Sequence, residues 1–261
     1  MKVGAIAVST VMASPVRTVS ADAPLADAYK VLRQHALSSL VVEHRGRHVG
    51  VVSRTDLLRV GRVADGAVRR APLLSLPDKA VRDVMTPGLI TVDHGATVSE
   101  AARVMVGQRI HRVFVRAAEG DGLAGVISTR DIMEAVAHSG MRAPLSDYMT
   151  TPVLTVRGDD TLGFATEKLA ESGVAGMVVV DAQEIPVGYF TQVEALQTRD
   201  WDAATPVEEA MNLGILCMNL STPLHRAAAA AAEMRARRVI AVDRRRLHGI
   251  LTGIDFARAA L

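Results

Sequence analysis

Short apolar runs rich in β-branched residues alternate along this chain with segments whose apolar residues recur three and four positions apart. In the first such segment, Leu25, Ala28 and Leu32 have the spacing of an amphipathic helix. The β-branched runs predict strands, and each is followed by a polar or glycine-bearing turn and a second apolar run. These runs lie at 40–42, 113–115, 177–180 and 239–242. The pattern predicts an α+β fold in which strand, helix, strand, strand, helix occurs four times.

Four methionines set the register of these copies: Met12, Met85, Met149 and Met211. Seven residues after each methionine comes Val or Met, and the residue before it is Thr in the first three copies. Twelve residues after each methionine comes Pro or Thr. Either suits a helix start, because proline loses no hydrogen bond there and a threonine hydroxyl caps a free amide. The chain is therefore an internal repeat, with copies predicted at 1–62, 78–139, 143–200 and 205–261.

Each copy ends in one motif: glycine, two apolar residues, Ser or Thr, two variable residues and an acid. The acids are Asp56, Asp131, Glu194 and Asp255. A structural hypothesis is that the hydroxyl caps the next helix and the acid reciprocates, a capping box worth about 1 kcal/mol. A functional hypothesis is that the acid accepts hydrogen bonds from ribose hydroxyls while the helix N-terminus lies near a phosphate. A single motif favours capping, whereas four in register favour the ligand.

These marks together resemble the CBS (cystathionine-β-synthase) domain family. The resemblance rests on the Val-Met-Thr-Pro start at 84–87, the Thr-Val pair after it and the motif that ends each copy. It implies that two copies pack about a pseudo-two-fold axis into a Bateman module with two clefts, so we expect modules at 1–140 and 141–261. It also implies a regulatory protein without catalytic activity that binds an adenine nucleotide (AMP, ADP or ATP), needs no other cofactor and acts on an effector protein. Its modules would pair as an intramolecular disc or in a homodimer.

Basic pairs precede the first long strand only in the even copies, as His111-Arg112 and Arg237-Arg238. Arginine suits bidentate phosphate contact and histidine adds a titratable donor, although a solvated loop is the competing interpretation. The residues predicted to contact ribose and phosphate are Ser53, Asp56, Ser128, Asp131, Thr252, Asp255, His111, Arg112, Arg237 and Arg238. Those that the resemblance places in a base pocket, with a plain core strand as the alternative, are Thr18, Val19, Thr91, Val92, Thr155 and Val156.

Two copies depart from the pattern. Glu194 has one methylene more than aspartate, which shifts its carboxylate away from the expected ribose geometry. In the fourth copy, Cys217 and Met218 replace the Thr-Val pair. Both departures weaken the ligand hypothesis for those clefts. Because Cys217 lies in an apolar run, we expect a buried, unreactive thiol.

Composition narrows the function. The 261 residues are 49% hydrophobic and carry a formal charge of +2, which is typical of a globular chain and disfavours a nucleic-acid or anionic-membrane partner. No apolar run reaches the length of a membrane span, so the cytoplasm is the simplest location. His44 and His48 flank a hairpin turn, so no metal site is predicted. The sequence contains no nucleophile elbow, phosphate-binding glycine loop or paired catalytic carboxylates, and we therefore expect no enzyme.

Two alternatives remain open at this point. In the first, the clefts have lost the ability to bind a ligand, and the chain is an interaction scaffold. In the second, a basic connector between the first two copies contacts nucleic acid, although no aromatic residues interleave to stack on bases. The arginines of that connector are Arg54, Arg59, Arg62, Arg69 and Arg70.

Overall fold

The computed structural model describes residues 2–63 and 74–261. The predicted order of strand, helix, strand, strand, helix is present in every copy. The first copy contains β1 (Thr18–Ser20), α1 (Leu25–Gln34), β2 (Ser39–His44), β3 (Arg47–Ser53) and α2 (Arg54–Val60). Two short strands follow it, β4 (Arg62–Val63) and β5 (Leu74–Ser75). The second copy contains β6 (Thr86–Pro87), β7 (Thr91–Val92), α3 (Val98–Gln108), β8 (Arg112–Arg116), β9 (Leu123–Ser128) and α4 (Thr129–Ala137).

The second half of the chain repeats this order with one extra short helix. The third copy contains β10 (Thr155–Arg157), α5 (Leu162–Ser172), β11 (Gly176–Val180), β12 (Pro186–Thr191) and α6 (Gln192–Gln197). The fourth contains α7 (Val207–Ala210), β13 (Cys217–Asn219), α8 (Leu224–Glu233), β14 (Arg238–Asp243), β15 (Arg246–Thr252) and α9 (Gly253–Ala259). The α+β prediction is confirmed.

The sheet of each copy has one topology. Apart from β6, which pairs with the first copy, the first strand of each copy runs parallel to the second, and the second pairs antiparallel with the third across a short turn. A helix connects the two parallel strands, as a parallel connection requires. In the described part of the chain, no helix is both long enough and apolar enough to cross a bilayer.

The described residues fall into two compact units. The larger contains Met1–Ser14, Thr91–Ala195 and Trp201–Leu261, and the smaller contains Pro15–Ile90 and Leu196–Asp200. The smaller unit has a core of buried aliphatic residues from the first copy, closed by Val81 from the start of the second. These unit boundaries do not follow the repeat boundaries, because opening segments pack on a copy other than their own.

Within the larger unit, the third and fourth copies pack sheet against sheet. Val178, Val180 and Tyr189 of the third copy form one buried cluster with Ile240 of the fourth. Helix α4 of the second copy also packs against α8 and α9 of the fourth. Burial of such aliphatic side chains stabilises the unit by about 1.5–3 kcal/mol for each fully buried residue.

The opening methionine of each copy packs on the motif glycine of its neighbour. A Cβ at Gly125 would lie 2.5 Å from Sδ of Met12. A Cβ at Gly188 would lie 2.6 Å from Sδ of Met211. The same contact joins Met85 to Gly50, and Met149 to Gly249. Copies one and two, and copies three and four, therefore exchange their opening segments reciprocally.

Backbone bonds reinforce this exchange. Strand β6 of the second copy pairs antiparallel with β3 of the first, through Gly50 and Val51. Equivalent bridges join Ala13 to Val126, Thr150 to Ile250, and Asn212 to Tyr189. Each opening segment thus covers an exposed strand edge that would otherwise carry unpaired backbone groups. The exchange shows that the copies pair as one with two and three with four, while the residue bounds given above for copies and modules remain predictions.

The prediction that Cys217 is buried is wrong, since this residue is exposed. Strand β13 is a three-residue edge strand that pairs only with β14 among the described strands. Burial nevertheless raises the pKa of the Cys217 thiol, so the thiolate is disfavoured. The apolar run around Cys217 misled the sequence argument, because in a strand neighbouring side chains point to opposite faces.

We predict that Gly125→Ala destabilises the protein by about 1–3 kcal/mol, because the new methyl group must displace Met12 and the Ala13 carbonyl. Thermal or urea unfolding measures the change. Gly107→Ala in helix α3 is the matched control. No atom lies within 4 Å of a Cβ at that position, so the variant should gain about 0.5–1 kcal/mol. Equal stabilities for the two variants would contradict the exchange contact.

Candidate functional site

The motif acids lie in the first turn of the helix that ends each copy. In three copies the acid accepts hydrogen bonds from the backbone N–H and the hydroxyl of the residue directly before the helix. A single carboxylate oxygen, Oδ2, accepts both bonds at distances between 2.6 and 2.9 Å. The pairs are Ser53 with Asp56, Ser128 with Asp131, and Thr252 with Asp255. This geometry confirms the capping box. The second oxygen of each aspartate, Oδ1, takes no part in the box, and its pairing differs among the three copies.

Asp255 uses both of its oxygens within the protein. Its Oδ1 accepts a hydrogen bond of 2.8 Å from the Thr150 hydroxyl and one of 3.0 Å from the Arg258 guanidinium. The residue is only 1% exposed. The acid is therefore buried and paired, which leaves it poorly placed to receive a ribose hydroxyl.

Asp56 is intermediate. Its Oδ1 lies 3.6 Å from the guanidinium of Arg59, a distance that gives charge neutralisation without a good hydrogen bond. Arg59 is itself largely exposed, so the pair is screened by solvent.

Asp131 has an open oxygen. Within the part of the chain that the structure describes, Oδ1 of Asp131 has no hydrogen-bond or ion-pair partner, and the residue lines a cavity of about 460 Å³. Helix α4 and the residue that follows it form one wall of the cavity, through Asp131, Glu134 and His138. The opening segment of the first copy forms the other wall, through Thr10 and Val11.

The electrostatics of Asp131 agree with this geometry. Burial raises the pKa of its carboxyl, the two bonds from Ser128 oppose that rise, and the nearby charge of Glu134 adds to it. A partly buried carboxylate with one unused acceptor and a shifted pKa, beside a cavity, is typical of a binding site.

The basic pairs of the second and fourth copies lie close together. Partial burial lowers the pKa of His111, and the charges of Arg112, Arg238 and Arg237 lower it further. The carbonyl of His111 accepts a hydrogen bond of 2.9 Å from the backbone N–H of Thr129, the first residue of α4. The cationic cluster therefore adjoins the helix N-terminus that carries Asp131, where an anion is favoured.

The third copy has a closed arrangement around Glu194. This acid is buried and caps α6 through the backbone N–H and hydroxyl of Thr191, as the aspartates do in their own copies. Burial lowers the pKa of the Arg238 guanidinium, and the nearby Tyr189 and Glu194 oppose that lowering. The Arg238 guanidinium also lies 5.5 Å from the ring centroid of Tyr189, a cation–π distance.

The valines of the predicted base pocket point into the cores. Val92 and Val156 are buried in the sheets of their copies, and Val19 packs against the core of the first copy. The preceding threonines are less buried, and Thr91 accepts a hydrogen bond from Arg116. A base pocket built from the backbone of these strands stays a prediction. The residues that the sequence argument missed, Thr10, Val11 and Glu134, come from segments outside the motif.

The basic connector is partly engaged within the protein. Arg54 donates to the carbonyl of Leu32, and Arg62 pairs with Asp200. Arg69 and Arg70 lie outside the described residues. No group of three His, Cys, Asp or Glu side chains that could hold a metal ion occurs in residues 2–63 and 74–261.

Comparison with known proteins places these features in a family. The CBS domain model matches residues 8–62, 81–138 and 145–198. An uncharacterized protein of Methanocaldococcus jannaschii is 23% identical over 273 residues, which cover 96% of this chain and 61% of that protein. The homoserine O-acetyltransferase of Methanosphaerula palustris is 29% identical over 111 residues, which cover 42% of this chain and 22% of the enzyme. The chain thus spans less than two thirds of either relative.

A solved structure shares the whole fold. A protein of Methanocaldococcus jannaschii, a proposed archaeal homologue of g-AMPK, superimposes with a TM-score of 0.74 at 17% identity, covering 97% of this chain and 99% of that one. The fourth copy, which the family model does not match, has the same element order and the same methionine–glycine contact as the other three. On the family match, supported by these contacts, the chain belongs to the CBS domain family.

Proposed function

We propose that this chain is a non-enzymatic regulatory protein that binds an adenine nucleotide (AMP, ADP or ATP) in the cleft of Asp131 and acts through that ligand on an effector protein. The observation that carries the proposal is the open Oδ1 of Asp131 beside its cavity. Ribose hydroxyls are donors, and a carboxylate oxygen with free lone pairs is the acceptor they require.

The surroundings of Asp131 suit the other parts of such a ligand. Ile6 and Val11 give the cavity an apolar side on which a purine can pack. His111 adjoins the N-terminus of α4, and Arg112 follows it, so phosphates extending from the ribose would meet positive charge. No catalytic step is proposed for this site.

The same walls suggest how binding is transmitted. A ligand would join the opening segment of the first copy to helix α4 of the second, which are the two sides of the cavity. Helix α4 packs on α8 and α9 of the fourth copy, so a shift of α4 would reach that helix interface. Effector regulation then follows from a change in helix packing, since packed interfaces have discrete arrangements.

We predict that Asp131→Asn stabilises the free protein at pH 7, because burial of the charged carboxylate, which raises its pKa, outweighs the hydrogen bonds from Ser128 that favour the charge. The pKa of Asp131 is raised in the folded state, so ionisation weakens folding as pH rises through that pKa. The gain should vanish below about pH 4, where the unfolded carboxyl is also protonated. Urea unfolding of the variant and the unchanged protein between about pH 4 and pH 7 tests this prediction, with Asp121→Asn, at an exposed position, as the control. A loss of stability at pH 7 would show instead that the bonds from Ser128 outweigh the burial of the Asp131 charge.

We predict saturable binding of at least one of AMP, ADP and ATP in calorimetric titrations, with NAD and S-adenosylmethionine tested beside them. Asp131→Asn should weaken binding about tenfold or more, since a hydrogen bond to a charged acceptor is lost. Asp121→Asn should leave it unchanged. Absence of binding for AMP, ADP and ATP would refute the proposal, and absence for all five compounds would favour the interaction scaffold.

A further inference from the structure

The residue three positions after the motif acid differs in charge between the copies. These residues are Arg59, Glu134, Gln197 and Arg258. On a helix, side chains three apart lie on the same face, so this residue is the nearest helical neighbour of the acid. Arginine at this position provides a counter-ion, and glutamate provides a second negative charge.

The observed contacts follow that difference. Arg258 donates to Oδ1 of Asp255 at 3.0 Å, and Arg59 lies 3.6 Å from Oδ1 of Asp56. Glu134 pairs instead with Arg130 on the preceding turn, at 3.3 Å, and its charge raises the pKa of Asp131. Only beside Asp131, among these three aspartates, does the helix supply no cation to Oδ1.

A second contact comes from the exchanged opening segment. The residue after the opening methionine of the third copy is Thr150, whose hydroxyl donates to Oδ1 of Asp255 at 2.8 Å. The residue in the same position of the first copy, on the segment that packs on the second copy, is Ala13. Alanine has no hydroxyl, so the exchange that satisfies Asp255 leaves Asp131 open.

We infer that these two positions select which cleft takes the ligand. Arginine three residues after the acid, together with threonine after the opening methionine, closes the cleft of Asp255 from within the protein. Glutamate and alanine at the equivalent positions, Glu134 and Ala13, keep the cleft of Asp131 available. Arg59 holds the same position beside Asp56, so the chain then binds one nucleotide, at Asp131, and Glu134 and Arg258 are specificity-determining residues. This inference rests on the proposed function, and it adds the stoichiometry and the residues that set it.

The first test closes the open cleft. Glu134→Arg places a cation beside Asp131, as Arg258 does beside Asp255, and titration with AMP, ADP and ATP should show affinity reduced about tenfold or more. Glu119→Arg, in an exposed turn of the same copy, makes the same charge change and should keep the affinity of the unchanged protein. Thermal unfolding of each variant confirms that it is folded.

The second test opens the closed cleft. The double variant Thr150→Ala, Arg258→Glu copies the arrangement around Asp131, and the stoichiometry should rise from one nucleotide per chain to two. If this variant does not fold, the Glu134→Arg titration decides the matter alone.

The outcomes separate the two claims. Two nucleotides bound by the unchanged chain, undiminished binding by Glu134→Arg, or a folded double variant that still binds one would each overturn the selection of clefts and leave the proposed function in place. A chain that binds none of the three nucleotides would overturn both.

Discussion

The contact of each opening methionine with the motif glycine of the neighbouring copy is the constraint on which the rest of this structure depends. A three-stranded sheet with two helices is too small to bury a core alone, and its last strand leaves an open edge. The exchanged segment covers that edge, and only glycine leaves room for the methionine sulfur there. The same exchange places Ala13 and Thr150 on copies other than their own, so the contact that builds the module also decides what reaches each motif acid.

The capping box leaves the motif able to serve both folding and the proposed binding. The helix start needs an acceptor for one backbone N–H and one hydroxyl, and Oδ2 of Asp131 accepts both. A carboxylate has a second oxygen with its own lone pairs. Structural and functional interpretations of the motif are therefore compatible. What distinguishes Asp131 from Asp255 is the partner of Oδ1, which the motif itself does not determine.

The sequence predicted what is local and periodic. Strand and helix order follows from apolar spacing, and the helix that begins after Ser128 follows from its hydroxyl and acid. It did not predict contacts made by residues far apart in the chain, such as Thr150 with Asp255, or the closeness of His111 to Arg237. The exposure of Cys217 was missed for a related reason, because the side to which a short edge strand turns is set by its partner strand. The sequence shows the charge of the residue three positions after each motif acid. Whether that residue pairs with the acid could be inferred only from the position of Oδ1 in the structure.

Repetition lets the copies divide these tasks. Packing requires that every copy keep its methionine, glycine and helix cap, because each copy completes its neighbour. A buried carboxylate with an unused oxygen weakens folding, whereas one paired with arginine and threonine does not carry that cost. One copy can therefore contain a motif acid with an unpaired oxygen, which destabilises the fold, while the acids of the other copies are paired. In the fourth copy, Asp255 caps α9 and holds the opening segment of the third copy through Thr150, which is a structural role. The proposed binding function can then lie in the copy whose motif acid keeps an unpaired oxygen.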